Sequence, residues 1–151
     1  MTSEFMRNLL SKDEKITVEY KSCQYGIQED VYETVCSFSN RYGGYIIMGA
    51  EDDGTPIGVK QNMVKDMKRN FVNQLNNPDK MSPTLYLSIE DFEYEGKILL
   101  WVYVPPTATV EKCGNRIYDR NEDGDMDITD SPIQLQNMYN RKSTTYAEHK
   151  I

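Results

Sequence analysis

The sequence lacks a long apolar run and has little cysteine or histidine. No stretch approaches the roughly 20 apolar residues of a transmembrane helix, so we expect no membrane partner. The first 15 residues lack the basic start and apolar run of a signal peptide. The 3 cysteines (Cys23, Cys36 and Cys113) form no CxxC pair, which favours a reducing cytoplasm. His149 is the single histidine and lies near the end of the sequence, so we expect no histidine-based catalytic triad.

A Walker motif and a strongly basic run are also missing. The pattern G-x-x-x-x-G-K-S/T does not occur, so ATP binding has no direct support. The net charge is −7, which disfavours nucleic acid as a partner. However, the segment from Asp119 to Asp130 carries six acidic residues and one arginine, so it accounts for −5 and leaves −2 for the remaining chain. A basic face elsewhere is therefore compatible with the composition.

What remains is the composition of one soluble globular domain. The chain has 151 residues, of which 38% are hydrophobic and 27% charged. This length is enough to bury a real core, and no flexible linker or repeat divides it. We therefore expect a single domain over residues 1–151, either a short protein or the N-terminal part of a longer one.

The stretch from Cys36 to Gly58 carries the strongest local signals. A helix ends near Tyr42, and Gly43-Gly44 follows as a turn that needs positive φ or close backbone approach. The apolar strand Tyr45–Met48 comes next, and Glu51-Asp52-Asp53-Gly54 then reverses the chain as a hairpin. The sequence therefore predicts a helix, tight turn, buried strand and hairpin in succession.

Periodicity predicts the other elements. Predicted helices are Ser3–Leu10, Gln28–Tyr42, one containing Met63 to Leu75, and one beginning at Ser131-Pro132; predicted strands are Ile16–Lys21, Leu85–Tyr94, Ile98–Val104 and Arg116–Tyr118. The strand Ile98–Val104 is apolar on both faces, so we expect it in the middle of the sheet. The order indicates an α+β fold, with helices packed on a mixed, mostly antiparallel sheet.

Several of these segments together resemble the Schlafen-type Alba-like domain. They are VEYK at Val18–Lys21, SFSNRYGG at Ser37–Gly44, MGAEDDG at Met48–Gly54, IGV at Ile57–Val59 and YDR at Tyr118–Arg120. The resemblance spans residues 14–140. It implies an Alba-like α+β fold and a nucleic-acid-binding module of a bacterial transcriptional regulator, a group once labelled divergent AAA ATPases. Tyr20, Ser37 and Ser39 are mild departures from the family pattern, and the acidic segment is a larger one.

A phosphate-binding surface is the first functional hypothesis, with DNA or RNA as partner. Arginine suits bidentate phosphate contacts, backbone N–H groups at a glycine turn can approach a phosphate, and tyrosines can stack on bases. The candidate residues are Lys21, Asn40, Arg41, Gly43, Gly44, Arg116, Tyr118 and Arg120, with Tyr42 as a second stacking residue. The alternative is structural: the glycines close the helix, Arg41 complements its dipole, and the tyrosines are core.

A carboxylate cluster is the second hypothesis. Animal Schlafen proteins include ribonucleases that use two glutamates five residues apart and a later aspartate, which the resemblance places at Glu14, Glu19 and Asp52, with Glu51 as a substitute for Asp52. Such a cluster would hold Mg²⁺ or Mn²⁺ and activate water. The alternative is that Glu14 is solvated, Glu19 pairs with Lys21, and Asp52 forms a turn.

A calcium loop is the third hypothesis. Numbered from Asp119, the segment matches D-x-[DN]-x-[DN]-G, with oxygen ligands expected from Asp119, Asn121, Asp123, Asp125 (backbone carbonyl), Asp127 and Asp130. A predicted strand precedes it instead of the helix of an EF-hand, and a solvated acidic hairpin is the alternative. The three hypotheses give a nucleic-acid-binding regulator first, a metal-dependent endoribonuclease second, and a non-catalytic, homodimeric interaction domain with bound Ca²⁺ third.

Overall fold

The computed structural model describes residues 1–11 and 16–150, and the side chains of residues 1–11 and 16–144. Glu14 therefore lies outside the described residues. The helices are α1 Ser3–Leu10, α2 Asp30–Asn40, α3 Val64–Leu75 and α4 Pro132–Lys150, and a short 3-10 helix, Gln61–Met63, precedes α3. The strands are β1 Val18–Lys21, β2 Gly44–Met48, β3 Met81–Ser82, β4 Glu90–Tyr94, β5 Lys97–Val104, β6 Lys112–Cys113, β7 Tyr118–Asn121 and β8 Gly124–Asp127.

The main sheet has the strand order β1-β2-β5-β4. β1 and β2 are parallel and joined through α2, whereas β2 with β5 and β5 with β4 are antiparallel. β3 with β6 and β7 with β8 form two small antiparallel pairs. The predicted α+β fold with a mostly antiparallel sheet is confirmed, and β5 lies inside the sheet as its apolar sequence predicts.

Helices cover both faces of this sheet. Side chains of α2 and α3, including Val35 and Phe71, pack with Ile46 and Leu100 on one face. On the other face, α1 packs its buried residues against the sheet; this second cluster contains Met6, Leu9, Leu10, Val18, Tyr20, Ile47, Ala50, Tyr94 and Leu99. A strand buried on two faces must be apolar throughout, which explains the run in β5.

The end of α2 depends on a glycine. Gly43 has φ +75°, and its N–H donates to the carbonyl of Phe38 at 2.9 Å, which closes the helix as the sequence predicts. A Cβ at Gly43 would lie 2.6 Å from the carbonyl oxygen of Val104, so the turn packs tightly on the end of β5. Tyr42 is 60% exposed, so the predicted apolar stripe stops before it.

The prediction is wrong in two segments outside the central unit. Residues 84–89 form no strand, and β4 begins at Glu90. Leu85 and Leu87 still pack against the core, so their alternation reflects packing and not pairing in the sheet. The acidic segment is a β hairpin, β7–β8, where the sequence predicted a strand followed by a loop.

Within residues 1–11 and 16–150, none of the helices combines the length and the apolar character needed to span a bilayer.

Candidate functional site

An open acidic cleft brings together two of the three predicted catalytic carboxylates. Glu19 and Asp52 both line this cleft, whose volume is about 740 Å³. Glu19 lies on β1 and Asp52 lies in the hairpin after β2, and because β1 and β2 are parallel their carboxyl ends meet at one edge. The remaining lining residues are Tyr20, Lys21, Ser22, Gln28, Asp30, Ala50, Glu51 and Asp53. Five carboxylates thus face one lysine, and the cleft repels a phosphate.

Lys21 is held within this cleft by acidic neighbours. Its Nζ donates to Asp30 at 2.8 Å and lies 3.4 Å from Glu19. Burial disfavours the charged form, but the hydrogen bond to Asp30 and the charge of Glu19 outweigh it and raise the pKa of Lys21. Lys21 is therefore charged but neutralised, and it offers no free positive charge to a nucleic acid.

Arg120 is a buried structural residue, which corrects its prediction as a phosphate contact. Its side chain is 1% exposed, and it pairs with Glu19 at 3.0 Å and with Asp125 at 2.8 Å. Its Nε donates to the carbonyl of Ile16 at 3.0 Å, and its guanidinium carbon lies 4.5 Å from the ring centre of Phe38. The guanidinium group thus links the hairpin β7–β8 to β1 and α2.

Asn40 is also buried, with 1% exposure, and its side-chain amide forms hydrogen bonds with backbone groups. The Nδ2 group donates to the carbonyls of Glu111 and Tyr118 at 2.9 Å, and Oδ1 accepts from the N–H of Glu111 at 2.8 Å. Because the N–H of Gly43 is donated to Phe38, that amide is not available to a phosphate either. The predicted phosphate contacts at Asn40 and at the Gly43 amide are therefore corrected to structural roles.

The carboxylates of the predicted calcium loop do not converge. Asp119 accepts two hydrogen bonds from Arg41, at 3.0 and 2.8 Å, whereas Asp125 pairs with Arg120. Asp127 and Asp130 pair with Arg116 at 2.7 and 3.1 Å, and Asn121 and Asp123 lie at the hairpin turn. Among the residues whose side chains are described, no group of three or more His, Cys, Asp or Glu is arranged to hold a metal. The calcium-loop prediction is corrected to an arginine-paired hairpin, because a β hairpin sends successive side chains to opposite faces.

Arg116 and Tyr118, which were also predicted to contact nucleic acid, already have partners within the protein. The hydrogen bonds to Asp127 and Asp130 raise the pKa of Arg116, whose side chain is 39% exposed, and they use two of its five N–H donors. Tyr118 packs against the main core, and burial together with the charge of Glu33 raises its pKa to about 12. Two carboxylates thus cancel the charge that Arg116 would offer to a phosphate, and the ring of Tyr118 is committed to the core.

A cationic surface with an exposed aromatic ring remains at the C-terminal end of α2; we call it the α2-end surface, formed by Arg41, Tyr42 and Arg141. Arg141 lies 3.5 Å from the carboxylate of Asp119 that Arg41 binds, and it donates to the carbonyl of Asn40 at 2.8 Å. The side chains of Arg41 and Arg141 are 24% and 29% exposed and that of Asp119 6%. Two arginines thus share one buried carboxylate, which leaves net positive charge beside the ring of Tyr42.

Sequence reasoning missed Arg141. The weak signal was its place on α4 three residues after Met138, which packs into a small cluster with Ile117 and Ile128. That spacing indicates that Arg141 and Lys142 lie near the packed side of α4. It does not indicate which element α4 packs against.

Residues 14–129 match the family model described as Schlafen, AlbA_2, so the chain belongs to that family. A search of the curated proteins found no significant match.

Two solved structures share the fold. The first is the N-terminal domain of a Nitrosomonas europaea protein described as related to the ATP-dependent DNA helicase RecG, at 26% identity and a TM-score of 0.56; the match covers 69% of this chain and 72% of that one. The second is the DIP2311 protein from Corynebacterium diphtheriae, at 15% identity and a TM-score of 0.58. That match covers 83% of this chain and 30% of the other. The second likeness concerns the fold alone.

Proposed function

We propose that the chain is a nucleic-acid-binding module of a transcriptional regulator, and that it binds through the α2-end surface. The observation that carries the proposal is the pair of arginines, Arg41 and Arg141, on the single buried carboxylate of Asp119. Family membership and the helicase-related description of the Nitrosomonas europaea protein support a nucleic acid as the partner.

The three side chains supply two complementary contacts. Arg41 and Arg141 have donors at the surface for phosphate oxygens, and phosphate contacts supply most of the affinity in such complexes. Tyr42 is 60% exposed and its ring centre lies 5.8 Å from the Arg41 guanidinium carbon, so a base can stack on it. The acidic cleft lies at the other end of α2, where Asp30 begins the helix. This separation keeps the carboxylates of the acidic cleft away from the phosphate backbone, whereas the exposed Glu122 and Asp123 of the β7–β8 turn line a small pocket with Arg41.

Fluorescence anisotropy with labelled single-stranded RNA, single-stranded DNA and duplex DNA tests the proposal. Tyr42→Ala should weaken binding of single strands by about 5- to 150-fold, because stacking of one base contributes about 1–3 kcal/mol. Arg141→Gln should weaken binding of all three ligands. It should also make the slope of log affinity against log salt less steep by roughly the amount expected for one phosphate contact.

The matched control is Lys60→Ala. Lys60 is an exposed cation beside the exposed ring of Tyr25, at 5.6 Å, and its backbone bonds to Gln24, ahead of α2. Lys60 and Tyr25 thus place a cation beside an exposed aromatic ring, as in the α2-end surface, but near the start of α2. Equal losses of affinity in the Tyr42, Arg141 and Lys60 variants would contradict a specific surface at the end of α2.

A metal-dependent endoribonuclease remains a second candidate, because Glu19 and Asp52 line the same cleft. Glu14 would complete the set but lies outside the described residues. A bound Mg²⁺ or Mn²⁺ would supply an activated water and stabilise charge on the displaced phosphate. Glu19 is already paired with Arg120, so this cation would compete with a buried guanidinium.

Cleavage of structured RNA with and without Mn²⁺ tests this second candidate. Asp52→Asn is the sharper variant, because Asp52 is exposed and the substitution leaves the Glu19–Arg120 pair intact. Glu93→Gln, an exposed position on β4, is the control. Metal-dependent cleavage that Asp52→Asn abolishes and Glu93→Gln retains would support the ribonuclease; cleavage that survives Asp52→Asn would reject this site.

A further inference from the structure

Glu111 is a buried carboxyl group that the proposed function does not use. It precedes β6, its exposure is 0%, and within the described residues neither carboxyl oxygen meets a hydrogen-bond donor. The side-chain amide of Asn40 holds the backbone of Glu111 in place, because it donates to the Glu111 carbonyl and accepts from the Glu111 N–H. Burial raises the pKa of Glu111 to about 8, because a buried carboxylate without donors is poorly solvated. Burial therefore favours the protonated form of Glu111 in the folded protein at neutral pH.

Lys142 is a buried cation of α4 that lies near this group. Its Nζ bonds to the carbonyls of Ser39, Thr107 and Thr109 at 2.9, 2.9 and 2.8 Å, and to Oγ1 of Thr107 at 3.1 Å. Arg141, the preceding residue, bonds to the carbonyl of Asn40. Two consecutive residues of α4 thus bind the last carbonyls of α2, and they fix α4 to the end of that helix.

The two thiols beside Glu111 do not compete with it for negative charge as pH rises towards 8. Cys36 of α2 and Cys113 of β6 face Glu111, and burial raises the pKa of both thiols, so they stay neutral. Around Lys142, burial and the charge of Arg141 lower its pKa to about 8, whereas Glu111, Cys36 and Asp119 oppose that change. In this pocket of the fold, rising pH therefore creates a negative charge at Glu111.

We propose that Glu111 and Lys142 form a pH-sensitive latch that holds α4, and with it Arg141, against the end of α2. An ionised Glu111 needs a donor, and the lysine that can supply one is bound in its cage of four oxygen atoms. Either Lys142 leaves this cage or water enters beside Glu111. Both changes loosen α4, and Arg141 then leaves Asn40 and Asp119. The effect on nucleic acid rests on the proposed function, but the latch itself does not.

The direction of the pH dependence follows from proton binding. Because Glu111 binds its proton more tightly in the docked state, docking weakens as pH rises from about 4.5 to about 8, by at most tenfold per pH unit for one proton. Lys142 has a lowered pKa in the docked state, so it loses its proton more easily there. Above about pH 8, deprotonation of Lys142 therefore strengthens docking of α4 as pH rises. Docking of α4 is therefore weakest near pH 8.

Hydrogen exchange of residues 132–144 in the full chain, corrected for intrinsic rates, tests the latch at pH 6 and pH 8. We expect protection to fall by about tenfold or more between these values in the wild type. Glu111→Gln should remove the difference, whereas Glu93→Gln, an exposed control, should retain it. Equal protection at both pH values in the wild type would overturn the proposal.

A second measurement uses only the wild-type chain, in case Glu111→Gln does not fold. Carbon NMR of the glutamate carboxyl groups should show one that stays protonated at pH 6; complete ionisation of all of them at pH 6 would overturn the latch. Affinity for single-stranded RNA, single-stranded DNA and duplex DNA at the two pH values separates the two proposals. Protection that changes with pH while none of these ligands binds rejects the proposed function and retains the latch, and nucleic-acid binding with constant protection does the reverse.

Discussion

Arg120 joins three parts of the fold through one guanidinium group. It pairs with Glu19 on β1 and Asp125 on β8, and its plane lies over Phe38 of α2. It also donates to the carbonyls of Ile16 and Val18 at the outer edge of β1. An edge strand with unpaired carbonyls invites pairing with another chain, and Arg120 covers this edge.

Removal of this guanidinium group should therefore be costly. Arg120→Met should lower the free energy of unfolding by about 3–5 kcal/mol, because it removes the buried cation that pairs with the part-buried carboxylates of Glu19 and Asp125 and leaves Asp125 without an ion-pair partner among the described residues. Urea unfolding followed by circular dichroism measures this change. Arg116→Met is the matched control, since it removes two ion pairs from the exposed side of the same hairpin and should change stability little. Equal effects in the two variants would contradict the structural role of Arg120.

At the level of elements, α2 organises the two surfaces. Its first residue, Asp30, lines the acidic cleft, and Arg41 follows its last residue at the opposite end. The parallel pairing of β1 and β2 requires this crossover helix, which runs back along the sheet. The cleft and the α2-end surface are therefore held apart by the length of one rigid helix, and each can be changed without the other.

The turn after α2 gives a matched pair of glycine variants. Gly43 and Gly96 have nearly the same φ, +75° and +77°, but a Cβ at Gly43 would meet the carbonyl of Val104 at 2.6 Å, whereas a Cβ at Gly96 would meet nothing within 4 Å. Both alanine variants should lose roughly 1–2 kcal/mol from the left-handed backbone. Gly43→Ala should lose more because β2 must also move away from β5. Thermal unfolding compares them, and equal losses would show that the close approach to Val104 does not matter.

At the level of the whole molecule, four acidic residues of the acidic segment, Asp119, Asp125, Asp127 and Asp130, are paired with arginines. Arg41, Arg116 and Arg120 each bind carboxylates of the hairpin β7–β8. The net charge of −7 therefore overstates the repulsion that a nucleic acid meets at the end of α2, since Asp119 is 6% exposed and shared by two arginines. The local arrangement, and not the total, decides where a polyanion can approach.

The sequence predicted those parts of the fold that local signals determine. The helix, glycine turn, strand and hairpin from α2 to Gly54 each have their own periodicity or turn residues, so this unit was predicted correctly. The alternation in residues 85–89 has the same period as a strand but arises from packing against the core, so β4 was placed too early. Periodicity reports which side chains are buried and not which backbone groups pair.

The candidate site was predicted less well, because it depends on contacts between distant residues. The calcium-loop spacing gives the order of oxygen atoms along the chain, but the arginines that bind them are Arg41, Arg116 just before the hairpin, and Arg120 within it. Glu19 and Asp52 were placed together through the family resemblance, and the structure brings both to one cleft. Arg141 and Lys142 have no motif, and their importance arises only when α4 packs on the end of α2.

Chemical-shift mapping tests the central claim most directly. The labelled chain is titrated separately with a short single-stranded RNA, a single-stranded DNA and a DNA duplex at low salt and pH 6, and backbone amide shifts are recorded. We expect shifts concentrated at Arg41, Tyr42 and Arg141 that vanish as salt rises, with Glu19 and Asp52 unchanged. Shifts confined to Glu19, Asp52 and the rest of the acidic cleft, or an absence of shifts with all three ligands, would show that the α2-end surface does not bind nucleic acid.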